Sequence, residues 1–126
     1  MNDWLDIKGK TVLVTGASSG IGKAIVEELL ELGVNVANFD LSDNDLRHPN
    51  LLFVKVDVTS RSEVEEGVAK IVERFGNIDA VVNNAGINVP RLLIDAENPK
   101  GPYELDDETF EKVTMINQKG LYLVSQ

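Results

Sequence analysis

The chain has 126 residues, of which 43% are hydrophobic and 26% are charged, a composition typical of one globular domain. Its formal net charge of −9, without any basic cluster, argues against a nucleic-acid partner. The absence of cysteine and the single histidine, His48, argue against a metal site. Without a signal-peptide pattern or a long apolar run, we expect a cytoplasmic protein that does not enter a membrane.

Short apolar runs alternate with amphipathic segments along the chain. Buried strands are predicted at 11–15, 34–39, 51–56 and 78–82. The first helix follows a glycine-rich turn and ends at Gly33, and the second runs from Ser60 to Gly76. This order predicts an α/β fold, a Rossmann-type parallel sheet with helices on both faces.

Three further segments complete the pattern. Residues 41–50 read as a loop, and residues 87–105 as an unusually long loop without helical or strand periodicity. A last helix is expected to begin at Asp106. Its predicted apolar stripe contains Phe110, Val113, Asn117, Leu121 and Val124. In the second helix, Ser60 and Glu63 are expected to form a reciprocal capping box.

The strongest local motif is the turn Thr15-Gly16-Ala17-Ser18-Ser19-Gly20-Ile21-Gly22, between a predicted strand and a predicted helix. Gly16 would permit a tight turn, Gly20 the approach of a pyrophosphate, and Gly22 close packing of helix on strand. The helix N-terminus would offer free N–H groups to phosphates. A plain strand-to-helix turn with convenient glycines would also fit the pattern.

Asp40 lies at the end of the second predicted strand, 24 residues beyond Gly16. A carboxylate there can accept hydrogen bonds from ribose hydroxyl groups and repel the 2′-phosphate of NADP, which favours NAD. Alternatively, Asp40 only begins a turn with Ser42. Arg47, nearby in the sequence, argues against a preference for NAD, because a basic side chain suits the 2′-phosphate of NADP.

The octet at 15–22 and the run Asn83-Asn84-Ala85-Gly86 together resemble the signatures of the classical short-chain dehydrogenases/reductases, and the resemblance extends from Lys10 to Gln126. It implies binding of NAD, with Asp57 and Val58 at the adenine. Cofactor contacts are expected from Gly16, Ser18, Ser19, Gly20, Ile21, Gly22, Asp40, Asp57, Val58, Asn84, Ala85 and Gly86. There are simpler alternatives for two of these motifs. Asp57 could only cap the following helix, and Asn83 and Asn84 could only form a turn before Gly86.

The resemblance also implies a catalytic role for Asn117, as the Asn of an Asn-Ser-Tyr-Lys tetrad. The other members are not found, because Tyr103 and Tyr122 both lack a Lys four residues later. We therefore expect residues 1–126 to be an incomplete NAD-binding Rossmann domain, truncated after about four strands. Family members assemble as tetramers or dimers, which implies a homo-oligomer for the full-length protein.

The long loop and the run Ile116-Asn117-Gln118-Lys119-Gly120 look like the branch of this family that acts on phosphorylated polyols. This implies a polyol or sugar-phosphate substrate, with sorbitol 6-phosphate oxidised to fructose 6-phosphate. Arg91 and Lys100 would then suit the phosphate group, although solvated loop charges are the favoured interpretation of both. A non-catalytic dinucleotide-binding module and an NADPH-dependent carbonyl or ketoacyl reductase are the alternatives.

Overall fold

Four parallel strands form the central sheet of the computed structural model, which describes residues 4–126. The strands are β1 Thr11–Thr15, β2 Asn35–Asp40, β3 Leu51–Lys55 and β4 Ala80–Val82. They lie in the sheet in the order β3-β2-β1-β4. The helices are α1 Gly20–Glu31, α2 Arg61–Phe75, α3 Asp107–Thr114 and α4 Gly120–Ser125, with a π-helical segment Met115–Lys119 joining the last two.

Both faces of the sheet are covered, as predicted for a Rossmann-type fold. Side chains of successive strand residues point to opposite faces, so Val12 and Val14 pack under α1 while Leu13 packs under α2 and α4. Phe39 packs on the same face as Leu13 and is the largest of the fully buried side chains among the described residues. The predicted parallel α/β architecture is confirmed.

The ends of the first two helices follow from local chemistry. Gly33 and Gly76 adopt positive φ angles of 78° and 92°, which glycine reaches without a steric penalty, and both end a helix as predicted. At the start of α2, the Ser60 hydroxyl accepts from the Glu63 N–H, as a cap should. The reciprocal half of the capping box is wrong, because the Ser60 N–H already bonds the Asp57 carbonyl. The Glu63 carboxylate accepts from the Asp57 N–H instead.

The predicted apolar stripe on the last helix is wrong in part. Two of its members, Phe110 and Leu121, are 58% and 49% exposed. Val124 is buried as predicted, together with Leu123, which was not in the predicted stripe. The π-helical segment at 115–119 has more residues per turn, so a pattern drawn with 3.6 residues per turn loses its phase there.

Asp106 caps this helix as expected. Its carboxylate accepts from the Thr109 N–H at 2.7 Å. That backbone hydrogen bond, helped by the Thr109 side chain, holds the pKa of Asp106 below its usual value.

The interior contact that fixes α2 on the sheet is made by Gly67. A Cβ atom on this residue would lie 2.7 Å from Phe39 Cζ and 2.9 Å from Val56 Cγ2. We expect Gly67→Val to lower the free energy of unfolding by about 1–3 kcal/mol, through overpacking. Urea unfolding measures this loss.

The matched control is Ala69→Val, on the exposed face of the same helix. It carries the helix-propensity cost of valine, about 0.5 kcal/mol, without the clash. Equal losses for the two variants would contradict the packing role of Gly67.

Candidate functional site

The sheet order reverses beside β1, which lies between β2 on one side and β4 on the other. In open parallel sheets a crevice forms outside the carboxyl ends of the strands at such a reversal, and ligands bind there. The glycine turn follows β1, Asp40 closes β2, and the Asn-Asn-Ala-Gly run follows β4. Three sequence motifs therefore meet at one end of the sheet.

Two glycines allow the backbones of the motifs to touch. Gly16 has φ of 66°, and a Cβ atom on it would lie 2.9 Å from the Cα of Ala85. A Cβ on Gly22 would lie 2.5 Å from both the side-chain nitrogen of Asn84, Nδ2, and the Gly16 carbonyl oxygen. Any larger side chain would force the turn, the helix and the Asn-Asn-Ala-Gly run apart.

The N-terminus of α1 faces open space. Ser19, its N-cap residue, makes no capping hydrogen bond, whereas side chains cap α2 and α3. Gly20 has φ of 58°, and a Cβ there would meet nothing within 4 Å among residues 4–126, while Ile21 is 76% exposed. The first N–H groups of α1 are thus available to an anion, and the helix dipole favours one.

Ser18 is held by three side chains, through its N–H, its hydroxyl and its carbonyl. The N–H donates to Asp40 Oδ2 at 3.0 Å, and the hydroxyl accepts from Asn38 Nδ2 at 3.0 Å. The carbonyl accepts from Asn44 Nδ2 at 3.0 Å. Asn38 and Asn44 are not among the site residues predicted from the sequence. A polar residue inside the apolar strand 34–39 was the signal that could have revealed Asn38.

Thr15 connects β1 to the turn after β4. Its buried hydroxyl oxygen accepts from the Asn84 N–H at 3.0 Å and from the Ala85 N–H at 2.9 Å. The Asn84 side chain donates to the Gly16 carbonyl at 3.1 Å, and Asn83 donates to the Ser125 hydroxyl at 2.9 Å. The two Asn side chains therefore pin neighbouring segments rather than forming only a local turn.

Asp57 and Val58 follow β3 at the same end of the sheet. Asp57 Oδ1 accepts from the N–H and hydroxyl of Thr59, so Asp57 orders a short turn, while Ser60 caps α2. Val58 is buried, and its Cγ2 would lie 2.8 Å from a Cβ on Gly120. The glycine thus admits the loop after β3 close to α4.

Asn117 lies in the π-helical segment, and its side-chain amide pairs with the backbone of Ile87. Its Oδ1 accepts from the Ile87 N–H and its Nδ2 donates to the Ile87 carbonyl, both at 2.9 Å. The amide of Asn117 thus ties the last helix to the start of the long loop at Ile87.

A cavity of about 350 Å³ opens between these segments. Its lining includes most of the residues that the sequence singled out for a cofactor: Gly16, Ser19, Asp40, Asp57, Val58, Asn84, Ala85 and Gly86. Ser18, Gly20, Ile21, Gly22 and Asn117 do not line it, although Ser18 and Gly22 directly contact residues that do. Arg91 and Lys100, proposed for a phosphate group, also lie outside the lining.

A more open cleft of about 490 Å³ lies elsewhere, over the loop 41–50 and β3. Its cation, Arg47, is already engaged with Asp43 at 3.0 Å and with the carbonyls of Asn44 and Leu46. None of the glycine turn lines this cleft. The smaller cavity is therefore the candidate site.

The chemistry of that cavity fits a dinucleotide. One end offers carboxylates at Asp40 and Asp57, which suit ribose hydroxyl and adenine amino donors. The adjoining helix N-terminus offers uncapped N–H groups, which suit a pyrophosphate. Ala85, Gly86 and Ile116 border its other side with small or apolar surface.

With this fold and site, the chain belongs to the short chain dehydrogenase family, whose model matches residues 10–126. It is 46% identical over its whole length to a sorbitol-6-phosphate 2-dehydrogenase of Klebsiella pneumoniae and covers 48% of that protein. It is 36% identical over 95% of its length to a 3-oxoacyl-[acyl-carrier-protein] reductase of Thermotoga maritima and covers 49% of it.

A solved short chain dehydrogenase from Leptospira borgpetersenii, with bound NAD+, superposes with a TM-score of 0.79 at 28% identity. That comparison covers 95% of this chain and 44% of the other. The chain spans about half the length of the curated relatives it matches. In the described part of the chain, no helix has the length and apolar character needed to cross a membrane.

The two threonines of β1 give a test of how the site is held. We expect Thr15→Val to lower the free energy of unfolding by about 1–3 kcal/mol, because it leaves the Ala85 N–H without its acceptor. Chemical denaturation measures this loss.

Thr11→Val is the matched control on the same strand. Thr11 is equally buried, and among the described residues its hydroxyl has no hydrogen-bond partner. Its replacement should change stability by less than about 0.5 kcal/mol or raise it. A Thr15→Val variant as stable as Thr11→Val would rule out the proposed link.

Proposed function

We propose that this chain is the NAD-binding half of an oxidoreductase that interconverts a secondary alcohol and a ketone. The observation that carries the proposal is the cavity beside the uncapped α1, with Asp40 at its edge. Residues 1–126 would form the dinucleotide-binding part of a longer protein, since the relatives are about twice this length. The family supports enzymatic activity, and the activity itself is proposed for the whole protein.

Each part of the site has a distinct role in this proposal. The carboxylate of Asp40 accepts hydrogen bonds from the adenosine ribose, and Asp57 with Val58 borders the adenine. The N-terminus of α1 and the hydroxyl groups of Ser18 and Ser19 receive the pyrophosphate. Bound NAD supplies the group that accepts a hydride from the alcohol.

The opposite end of the cavity would hold the nicotinamide. Asn84, Ala85 and Gly86 line it there, and the contacts of Asn84 with β1 and the glycine turn fix their position. Asn117 is proposed as the member of the catalytic set that this chain supplies. By anchoring Ile87, it holds the loop that leaves the nicotinamide side of the cavity.

Charge supports NAD over NADP. Asp40 would lie beside a 2′-phosphate and repel it, since two negative charges at close range disfavour binding. Arg47, the nearby cation in the sequence, is already bound to Asp43 and to two backbone carbonyls. Its existing contacts leave it poorly placed to offset the repulsion.

The proposed substrate is a phosphorylated polyol, with sorbitol 6-phosphate oxidised to fructose 6-phosphate. The 46% identity to a sorbitol-6-phosphate 2-dehydrogenase over the whole chain supports this choice. The similarity to a 3-oxoacyl-[acyl-carrier-protein] reductase keeps a ketoacyl substrate as the second candidate. The whole protein is proposed to form a homo-tetramer or dimer.

Cofactor choice is tested by Asp40→Asn, which keeps the shape and one of the two acceptor oxygens but removes the charge. We expect the preference for NAD over NADP to fall about tenfold, equivalent to about 1.4 kcal/mol of repulsion removed. Calorimetric titration of the chain with each dinucleotide measures both affinities.

Asp45→Asn is the control, because Asp45 is an exposed carboxylate in the loop that follows Asp40, and Asp45 does not line the cavity. It should leave the ratio unchanged. A wild-type chain that binds NADP as well as NAD would refute the assignment of Asp40.

The substrate is tested with the whole protein of which this chain forms part. We expect reduction of NAD with sorbitol 6-phosphate, and much slower turnover with unphosphorylated sorbitol, followed by NADH absorbance. Faster turnover of a ketoacyl thioester with NADPH would favour the second candidate. Dinucleotide binding without turnover of either class would identify a non-catalytic module.

A further inference from the structure

Asn38 is a polar residue in the middle of a buried strand. It is 4% exposed and lies between Ala37 and Phe39, both fully buried, on β2. A buried amide is costly unless its donor and acceptor are both satisfied. A residue of this kind in a core strand requires a structural reason.

The side-chain hydrogen bonds of Asn38 lead to the glycine turn, while its backbone pairs with the neighbouring strands. Its Oδ1 accepts from the Ala17 N–H at 3.1 Å, and its Nδ2 donates to the Ser18 hydroxyl oxygen at 3.0 Å. The glycine turn follows β1, which pairs with β2, so these bonds link a side chain of β2 to the turn at the end of β1. Asn38 thus acts on the turn without lining the cavity.

The direction of the second bond determines what Ser18 can do. A serine hydroxyl has one hydrogen to donate and two lone pairs to accept with. Because Asn38 Nδ2 occupies a lone pair, the hydroxyl hydrogen remains available to an acceptor. An anion at the N-terminus of α1 is such an acceptor.

We propose that Asn38 is a positioning residue of the cofactor site, which orients Ser18 so that its hydroxyl donates to the cofactor pyrophosphate. Asn44 is the second anchor, because it binds the Ser18 carbonyl at 3.0 Å from the loop after β2. This inference rests on the proposed dinucleotide function. It adds two residues that do not themselves contact the cofactor.

The test compares NAD with adenosine, which lacks the pyrophosphate. In Asn38→Val, an apolar residue suited to a buried strand replaces the amide. We expect its affinity for NAD to fall about tenfold, the effect of one lost hydrogen bond to a charged group, with adenosine affinity unchanged. Calorimetry measures NAD binding, and NMR chemical shifts of the chain measure adenosine binding.

Asn35→Val is the matched control. Asn35 lies at the opposite end of β2, where its amide reaches the Gly9 carbonyl at 3.5 Å, far from the glycine turn. It should bind both probes as the wild type does. Loss of both probes in Asn38→Val would assign Asn38 a general structural role and overturn the proposal.

A double-mutant cycle tests whether Asn38 acts through Ser18. In a Ser18→Ala background, Asn38→Val should reduce NAD affinity much less than in the wild type, since the hydroxyl is already gone. Fully additive losses would contradict the proposed orientation.

If Asn38→Val does not fold, Asn44→Ala decides, because Asn44 lies in a loop and its replacement leaves the sheet intact. It should weaken NAD binding and spare adenosine. If Asn38→Val binds NAD with the same affinity as the wild type, this inference alone is overturned. The same holds for Asn44→Ala where that variant decides. Failure of the wild-type chain to bind NAD would overturn the proposed function with it.

Discussion

The contact between the end of β1 and the turn after β4 determines the geometry of the site. The Thr15 hydroxyl oxygen accepts hydrogen bonds from two N–H groups of that turn. Gly16 lets Ala85 approach more closely than any side chain at that position would allow. This contact joins the two halves of the sheet at the reversal of strand order. The cavity, the exposed N-terminus of α1 and the position of the Asn-Asn-Ala-Gly run all depend on it.

The site offers dipoles rather than positive charge. No Lys or Arg is among the described residues that line the cavity, whereas Asp40 and Asp57 are. The uncapped N–H groups of α1 supply a partial positive charge that suits one pyrophosphate. A further phosphate beside Asp40 would meet only repulsion, so the same distribution of charge supports both the proposed pyrophosphate site and the proposed preference for NAD.

Much of this arrangement could be predicted from the sequence, because it is encoded locally. The four strands lie within two residues of their predicted bounds, and Gly33 and Gly76 end their helices as expected. The errors arose where a sequence pattern did not show that a donor was already bound, or that the helix geometry changed. The Ser60 N–H was already bound to Asp57, and the π-helical segment at 115–119 displaced the apolar stripe of the last helix.

The sequence by itself determined the fold class, the glycine turn and the carboxylate at the end of β2, because strand periodicity, positive φ and residue chemistry are properties of short segments. Only the tertiary structure decided which side chains hold the turn. Asn38 and Asn44 lie at least 20 residues from Ser18 along the chain, and only the parallel pairing of β1 with β2 brings them to it. The alignment of strands is a non-local property, so local patterns did not reveal these contacts.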